Sequence, residues 1–436
     1  MILFKYCWFK LFLLLPILSY AQTINSFEEY LNTVLSKNSN REELSLQNEE
    51  NLTQQRQIMS QRFPTISSYL NSYQSQQGPR DVYLGGEIYQ QPATSYESHY
   101  VGLNFREQLF DYGNSIRKNQ KVNRIKLSQE AQYLENSRQL CIKAGNAYLD
   151  LASVLTTKDL LCSELSDLQD QLVYFKNLIM SGAKPPADSL RFSIQINNIK
   201  SQIYFNNSQR MQSQVDVAYY LKQSLIEVDS VIVPEFPTIM ESIENITNPK
   251  AQKIKENIKG EELNLSIIQW DKFPDVYLNA SYDRGGSNIQ KLYVDMNKDW
   301  NMSISLSLSI PIFQNHKQNV QETQSKLEIL RLKNQLAEEE LQFEAEISSL
   351  IAEISANAKQ VQLLEENVKK QRQVYAYDHE RYLLGILSYN EYMETKKTLL
   401  SSEQKLVTIR YQQLKNQFKL NVLTGAWDNQ ILSFIH

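Results

Sequence analysis

The stretch that decides the fold is Met302-Ser303-Ile304-Ser305-Leu306-Ser307-Leu308-Ser309-Ile310-Pro311-Ile312. Apolar residues and serines alternate along it without a break. Successive side chains of a β-strand point to opposite faces, so Met302, Ile304, Leu306, Leu308 and Ile310 share one face and the serines share the other. An apolar face backed by serine suits a wall between lipid and a wet lumen. It suits a strand of a soluble sandwich equally well, so the surrounding sequence has to decide.

The pattern occurs again in the first half of the chain. Ile66 to Tyr73 alternates, and a return strand sets Val101, Leu103 and Phe105 against Gly102, Asn104 and Arg106. Between them, Gln74 to Ser98 reads as a loop, with Gly78-Pro79, Gly85-Gly86 and Pro92. The serine-rich strand has a partner of its own in Asp275 to Tyr282, where Val276, Leu278 and Ala280 alternate with Tyr277, Asn279 and Ser281. Both hairpins are entered through a Phe-Pro pair, Phe63-Pro64 and Phe273-Pro274. Both are followed by long stretches almost free of glycine and proline, which end at Gly182 and Gly385.

This repetition predicts an internal duplication. The expected division is a signal peptide at 1–21, then a first repeat at 22–226 with hairpin 64–110, long helix 114–181, tip 182–188 and helix 188–225. A linker at 227–249 follows. The second repeat, 250–425, carries hairpin 274–313, long helix 316–384, tip 385–390 and helix 390–424, and 426–436 forms a tail. Each long helix would measure roughly 100 Å at 1.5 Å per residue.

The long helices carry heptads. Leu127, Leu134, Cys141, Tyr148, Leu155 and Cys162 recur every seventh residue, as do Ile347, Ile354, Val361, Val368, Tyr375 and Tyr382. Such repeats mean packing in coiled coils. In that seam Cys141 and Cys162 read as small core residues. They are too far apart along one helix to pair, and there is no disulfide framework.

Composition excludes several function classes. Gly (12) and Pro (11) are scarce in 436 residues, as suits long helices. The net charge is −4 with no basic block, which argues against nucleic acid. Lys5 and Lys10, the apolar run Leu11 to Leu18 and Ser19-Tyr20-Ala21 read as a secretory signal. No later segment has the length and apolarity of a transmembrane helix. His99, His316, His379 and His436 are scattered without metal-ligand spacing. No phosphate loop, dinucleotide fingerprint or nucleophile elbow occurs, so neither enzyme chemistry nor a cofactor is expected.

Two hairpins supply four strands, too few to close a barrel around a lumen. About eight is the smallest useful closure, and lipid excludes open sheet edges. If the strands cross a membrane, several copies must share one barrel, and three copies would give twelve strands.

The order of these parts resembles the TolC-like outer membrane efflux proteins, over essentially the whole chain after the signal. The residues that carry the resemblance are the two Phe-Pro junctions, the turn Leu109-Phe110-Asp111-Tyr112-Gly113, and Arg381-Tyr382-Leu383-Leu384-Gly385 followed by Glu391. The second strand-to-helix turn, Phe313-Gln314-Asn315-His316, departs from the family pattern by lacking Asp and Gly. The resemblance implies a mainly α fold with membrane β, in which a long α-helical coiled-coil barrel is joined to a shared 12-stranded trimeric β-barrel. It implies a homotrimer in the outer membrane of a Gram-negative bacterium, with a periplasmic helical extension that docks to an adaptor (membrane fusion) protein and an inner-membrane pump. The strand face of Met302, Ile304, Leu306, Leu308 and Ile310, with Val101, Leu103 and Phe105, would meet lipid.

The resemblance also marks site residues. The tips at Gly182 and Gly385, with Arg381 and Tyr382 beside the second, are expected at the periplasmic entrance and adaptor contact. Glu391 and Glu394 fall where the family places acids that ring the closed aperture, and Asp188 is the matching residue of the first half. A ring of carboxylates would favour cations and be blocked by them. Acids at a helix N-terminus also suit the helix dipole with no ring at all, and Tyr382 also simply ends the heptad seam. The function implied is a passive exit duct of a tripartite efflux or type I secretion system, gated at its helical tip. The alternative is a periplasmic or surface coiled-coil structural protein without channel activity.

Overall fold

The computed structural model describes residues 26–182, 185–224, 231–236, 246–287, 289, 300–310 and 317–433. The signal segment, Pro311-Ile312 and the turn Phe313 to His316 lie outside them. In chain order the elements are α1 (Phe27–Ser36), α2 (Ser39–Ser60), β1 (Thr65–Gln77), β2 (Arg80–Leu84), β3 (Glu87–Gln91), β4 (Thr94–Phe110), α3 (Asn114–Met180), α4 (Pro186–Tyr220), α5 (Pro249–Trp270), β5 (Asp275–Gly286), β6 (Trp300–Ser309), α6 (Lys317–Leu383), α7 (Tyr389–Leu423) and α8 (Asp428–Ser433). The helices α3 and α6 each have 67 residues, and α4 and α7 each have 35. Among the described residues no helix is long and apolar enough to cross a membrane.

The chain forms two compact units. One comprises Ser39–Asn136 and Thr247–Ala345; the other comprises Met1–Asn38, Ser137–Ile246 and Glu346–His436.

The first of these holds an antiparallel sheet in the order β1-β4-β5-β6. Its register sorts side chains cleanly. Leu308, Leu306, Ile304 and Met302 stand opposite Val276, Leu278, Ala280 and Tyr282. Ala280 and Tyr282 in turn face Phe105 and Leu103, and Ile66 and Leu70 face Phe105 and Val101. The sheet therefore has one apolar face, and Met302, Ile304, Leu306, Leu308, Val101 and Leu103 on it are exposed, with Ile310 exposed just past β6 and Phe105 half-buried. The other face is polar. There Ser281 and Ser303 hydroxyls lie 2.8 Å apart, and Asn279 donates to Ser307 at 2.8 Å.

Glycine is required on that polar face. A Cβ on Gly102 would meet the Tyr69 ring at 2.8 Å, and one on Gly285 would meet the Tyr100 ring at 2.6 Å. Each tyrosine thus lies over the glycine directly across from it, one pair on each side of β4.

The reading of Gln74 to Ser98 as a loop is corrected. β1 runs on to Gln77, β4 begins at Thr94, and β2 and β3 form a further hairpin between them. Its turn is Gly85-Gly86, with φ of +63° and +95°. Positive φ at both central residues of a two-residue connection matches the right-handed strand twist, so Gly-Gly here closes a hairpin instead of breaking structure.

The strand-to-helix turn in this unit is built around Asp111. Its carboxylate accepts from the backbone N–H of Gly113 at 3.0 Å and of Ser115 at 2.9 Å, and from the Ser115 hydroxyl. Tyr112 and Gly113 both have positive φ. The Tyr112 ring packs on Trp270 and Phe273, beside the helix-to-strand junction Phe273-Pro274, and Arg117 lies over Trp270 at 4.9 Å.

The other unit buries α1 against the middle of α3 and the end of α7. Phe27 is ringed by Tyr148, Phe236, Phe418 and Trp427, with centroids 5.1 to 6.5 Å away. Gly145 lets the ring of Phe418 in, since a Cβ there would stand 2.1 Å from Phe418 Cε1. The fully buried Arg138 grips Asp428 through Nε at 2.8 Å and Nη2 at 2.5 Å. This pins α8 to α3, so the stretch read as a tail carries a packed helix over Asp428–Ser433.

The heptad of α3 is corrected at its ends. Cys141, Tyr148 and Leu155 are buried, but Leu127 is 41% exposed and Cys162 is exposed. A helix of 3.6 residues per turn drifts about 20° per heptad against a strict seven-residue repeat. A seam centred on Tyr148 therefore rotates out of the core in both directions.

Candidate functional site

The candidate site is the tip where α3, α4, α6 and α7 end or begin, all within one unit. Each turn starts from a glycine in the left-handed region, Gly182 at φ +76° and Gly385 at φ +78°. Only glycine takes this conformation without strain. After Gly385, the N–H of Gly385 donates to Tyr382 O at 3.1 Å and that of Ile386 to Arg381 O at 2.9 Å, closing the last turn of α6. Pro185 and Pro186 do not merely stop α3. Pro185 is the N-cap of α4 and Pro186 opens its first turn, where a missing N–H costs nothing.

The incoming end of α7 is a capping box. Glu391 N donates to Ser388 Oγ at 3.3 Å, while the Glu391 carboxylate accepts from Ser388 N at 3.0 Å and Ser388 Oγ at 2.6 Å. The Ser388 hydroxyl and backbone N–H hold the Glu391 carboxyl below its ordinary range. Glu391 and Glu394 are both exposed.

Asp188 is placed differently. It is buried, and its carboxylate accepts from the Tyr382 hydroxyl at 3.0 Å and from Arg191 Nη1 at 3.3 Å. The contact ties α4 to α6. Burial, then the charge of Asp188, pushes the Tyr389 hydroxyl up to about 12, and the same causes raise that of Tyr382. Both hydroxyls therefore stay protonated, and that of Tyr382 remains the donor to Asp188. Arg381 pairs with Asp378 of its own helix at 3.7 Å.

Behind this contact lies an aromatic core that sequence reasoning missed. Phe175 stacks on Phe192 at 4.9 Å and meets Tyr382 at 5.0 Å. Tyr382 stacks on Tyr392 at 4.9 Å with only 4° between the rings. Deeper still, Lys396, almost wholly buried, pairs with Glu164 at 3.3 Å. Tyr375, Tyr382 and Tyr389 follow one another at intervals of seven, and that run of rings was the available signal. The structure thus joins Asp188 to Tyr382, and holds Glu391 in a local cap with Gly182 and Gly385 at the turns.

One unit thus holds a sheet with one exposed apolar and one polar face, and the other holds the helical tip. Residues 261–426 match the family model described as outer membrane efflux protein. The chain is 22% identical over 188 residues to the solvent efflux pump outer membrane protein SrpC of Pseudomonas putida, a match covering 42% of this chain and 38% of that protein. It therefore spans well under half the length of the curated relatives it matches. In fold it is similar to CusC, at a TM-score of 0.79 and 14% identity over 92% of this chain and 93% of that one. It is likewise similar to the Campylobacter jejuni outer membrane channel CmeC, at 0.74 and 12% over 92% and 85%. The TolC-like resemblance drawn from the junctions and turns is borne out, and the fold is that of the outer membrane efflux channels.

Proposed function

We propose that this protein is a passive exit duct of the Gram-negative outer membrane, serving a tripartite efflux or type I secretion system. The observation that carries this reading is the four-stranded sheet, apolar on one exposed face, with β1 and β6 left as its edges. Lipid tolerates no open edge. A third of a barrel closes when β6 of one copy pairs with β1 of the next, and three copies supply twelve strands. The apolar face would then meet lipid, and the serines and asparagines would line the lumen.

The long helices would form the periplasmic extension, with the tips as its gated entrance. The tip is closed while Tyr382 holds Asp188, and opens when an adaptor and an inner-membrane pump dock and the α6–α7 pair moves outward. Glu391 and Glu394, exposed at the start of α7, would ring the aperture; the buried Asp188 acts instead through its bond to Tyr382. The pump supplies energy and selects cargo.

The test is direct. The mature protein, extracted in detergent, should run as a trimer and conduct in planar bilayers, and an engineered disulfide between the tip helices should abolish export. A water-soluble monomer that passes no current would favour the structural coiled-coil reading instead.

A further inference from the structure

At its helix end the apolar face of the sheet continues past the last strand residue. Between Gln108 and Phe110 the pairing of β4 with β5 slips by one residue. Strict alternation from Phe105 and Glu107 would turn Phe110 to the polar face. The bulge instead sets it opposite Val276, on the apolar face. Phe110 is exposed there, and its ring meets that of Tyr112 edge-on at 4.7 Å. Tyr112 lies 5.5 Å from Phe273, and Phe273 lies 4.8 Å from Trp270. Over Trp270, at 4.9 Å, stands the guanidinium of Arg117. A run of rings thus carries the apolar face beyond the sheet and ends on a cation, all within one unit.

Arg117 closes the first turn of α3, and that turn holds no acid. A cation at a helix N-terminus opposes the helix dipole. The neighbouring carboxylates do not answer it. Asp111 is taken by Gly113 and Ser115, and Asp271 accepts from Asn114 at 2.8 Å. Glu107 stands opposite Leu278, on the strand side of Phe110, whereas Arg117 lies on the helix side. Lys272, by contrast, is paired with Glu322 at 2.7 Å. Among the described residues Arg117 forms no ion pair; its Nη1 donates to Tyr112 O at 2.8 Å and to Asn114 Oδ1 at 3.2 Å. A guanidinium carries five N–H donors in a planar fork. Nε and Nη2 therefore keep theirs, and that edge matches two oxygens of one phosphate side by side.

We propose that Arg117, held over Trp270, seats the phosphate of a membrane phospholipid, while the rings of Phe110, Tyr112 and Phe273 take the adjoining part of its chains. The proposal rests on the reading of the chain as an outer-membrane duct whose apolar sheet face meets lipid. On that reading the helix end of the sheet lies at the periplasmic leaflet, which is made of phospholipid. The seat fixes how deep the barrel sits, because it ties the first turn of α3 to the plane of the headgroups. Rings at a membrane interface give depth alone; the open guanidinium edge adds a preference for phosphate.

The mature protein, extracted in detergent, is titrated with phosphatidylglycerol and separately with diacylglycerol of the same acyl chains, and bound lipid is counted by native mass spectrometry. We expect the native protein to retain phosphatidylglycerol several-fold better, and Arg117→Gln to erase that preference. Loss of packing alone would weaken both lipids together and leave their ratio unchanged. Arg117 also bonds the Tyr112 carbonyl, so should Arg117→Gln fold poorly, Trp270→Leu, which leaves that bond in place, is read in the same way. Equal retention of both lipids by the native protein, or an unchanged preference in the folded variant, overturns the seat; if the native protein still conducts in planar bilayers, the duct stands. A native protein that passes no current and retains neither lipid overturns the duct and the seat together.

Discussion

The ring of Tyr382 lies flat on the ring of Tyr392, 4.9 Å away, while its hydroxyl reaches in another direction to Asp188 at 3.0 Å. One side chain therefore belongs at once to the apolar core of the tip and to a charged contact between two helices. Truncating the hydroxyl and truncating the ring should have separable effects.

Tyr382→Phe removes only the donor. A hydrogen bond to a charged acceptor is worth about 1.5–3 kcal/mol. Asp188 keeps Arg191 at 3.3 Å, so the loss should fall at the lower end of that range. Denaturant unfolding should show the small loss and bilayer recordings a larger open fraction. Tyr382→Ala should add the cost of a cavity among Phe175, Tyr389 and Tyr392 and destabilise far more.

Glu391 has a pH signature. Ser388 holds its carboxyl below the ordinary value near 4.3. A value lowered in the folded state stabilises the native tip above the unfolded value, and that contribution is lost as pH falls through the folded value. Protection of the Glu391 and Tyr392 amides, measured against the intrinsic exchange rate at each pH, should therefore fall on acidification below about pH 4 in the native protein. In Glu391→Ala that protection should be low already at neutral pH. If Glu391 also rings an aperture, Glu391→Gln should weaken single-channel block by divalent cations; unchanged block would leave it a helix cap alone.

Gly145→Ala tests the close approach of Phe418. The added methyl would sit 2.1 Å from a ring carbon, so the ring must move. Overpacking of this kind costs about 1–3 kcal/mol. Combining it with Phe418→Leu should recover part of the loss, a non-additivity readable in a double-mutant cycle of melting temperatures.

Arg138→Met should be costly because it strands Asp428. Breaking a buried ion pair from one side costs about 3–5 kcal/mol, whereas replacing both partners by apolar residues is often close to neutral. Arg138→Met with Asp428→Leu should thus be more stable than Arg138→Met alone. Limited proteolysis at the C-terminal end would report the same order.

What the sequence revealed and what it hid follow from the range of the interactions. The serine alternation of β6 and the seven-residue repeat of α6 are written in neighbouring residues, and the faces they imply match the observed burial of Ile347, Ile354, Val368 and Tyr382. Gly182 and Gly385 were legible because a left-handed turn leaves few choices of residue. The β2–β3 hairpin is legible in Gly85-Gly86 only ambiguously, because a Gly-Gly pair marks a break in structure as readily as a tight hairpin turn. The burial of Asp188 was not legible, because it depends on Tyr382, 194 positions further along the chain. The exposure of Cys162 does not show in a strict seven-residue count, because the seam drifts around the helix. The hydrogen bonds that join Gln171 of α3 to Tyr375 of α6 and Tyr392 of α7 link three helices, and no local pattern announces them.

Phe27, at the start of α1, finds two of its four aromatic neighbours, Phe418 and Trp427, near the other end of the chain. A polypeptide that emerges N-terminus first must hold Phe27 unsatisfied until nearly every later residue has followed it. The clip between Arg138 and Asp428 closes at the same late moment. A chain cut short before Trp427 would therefore leave an apolar hollow beside Phe27 and a buried, unpaired Arg138.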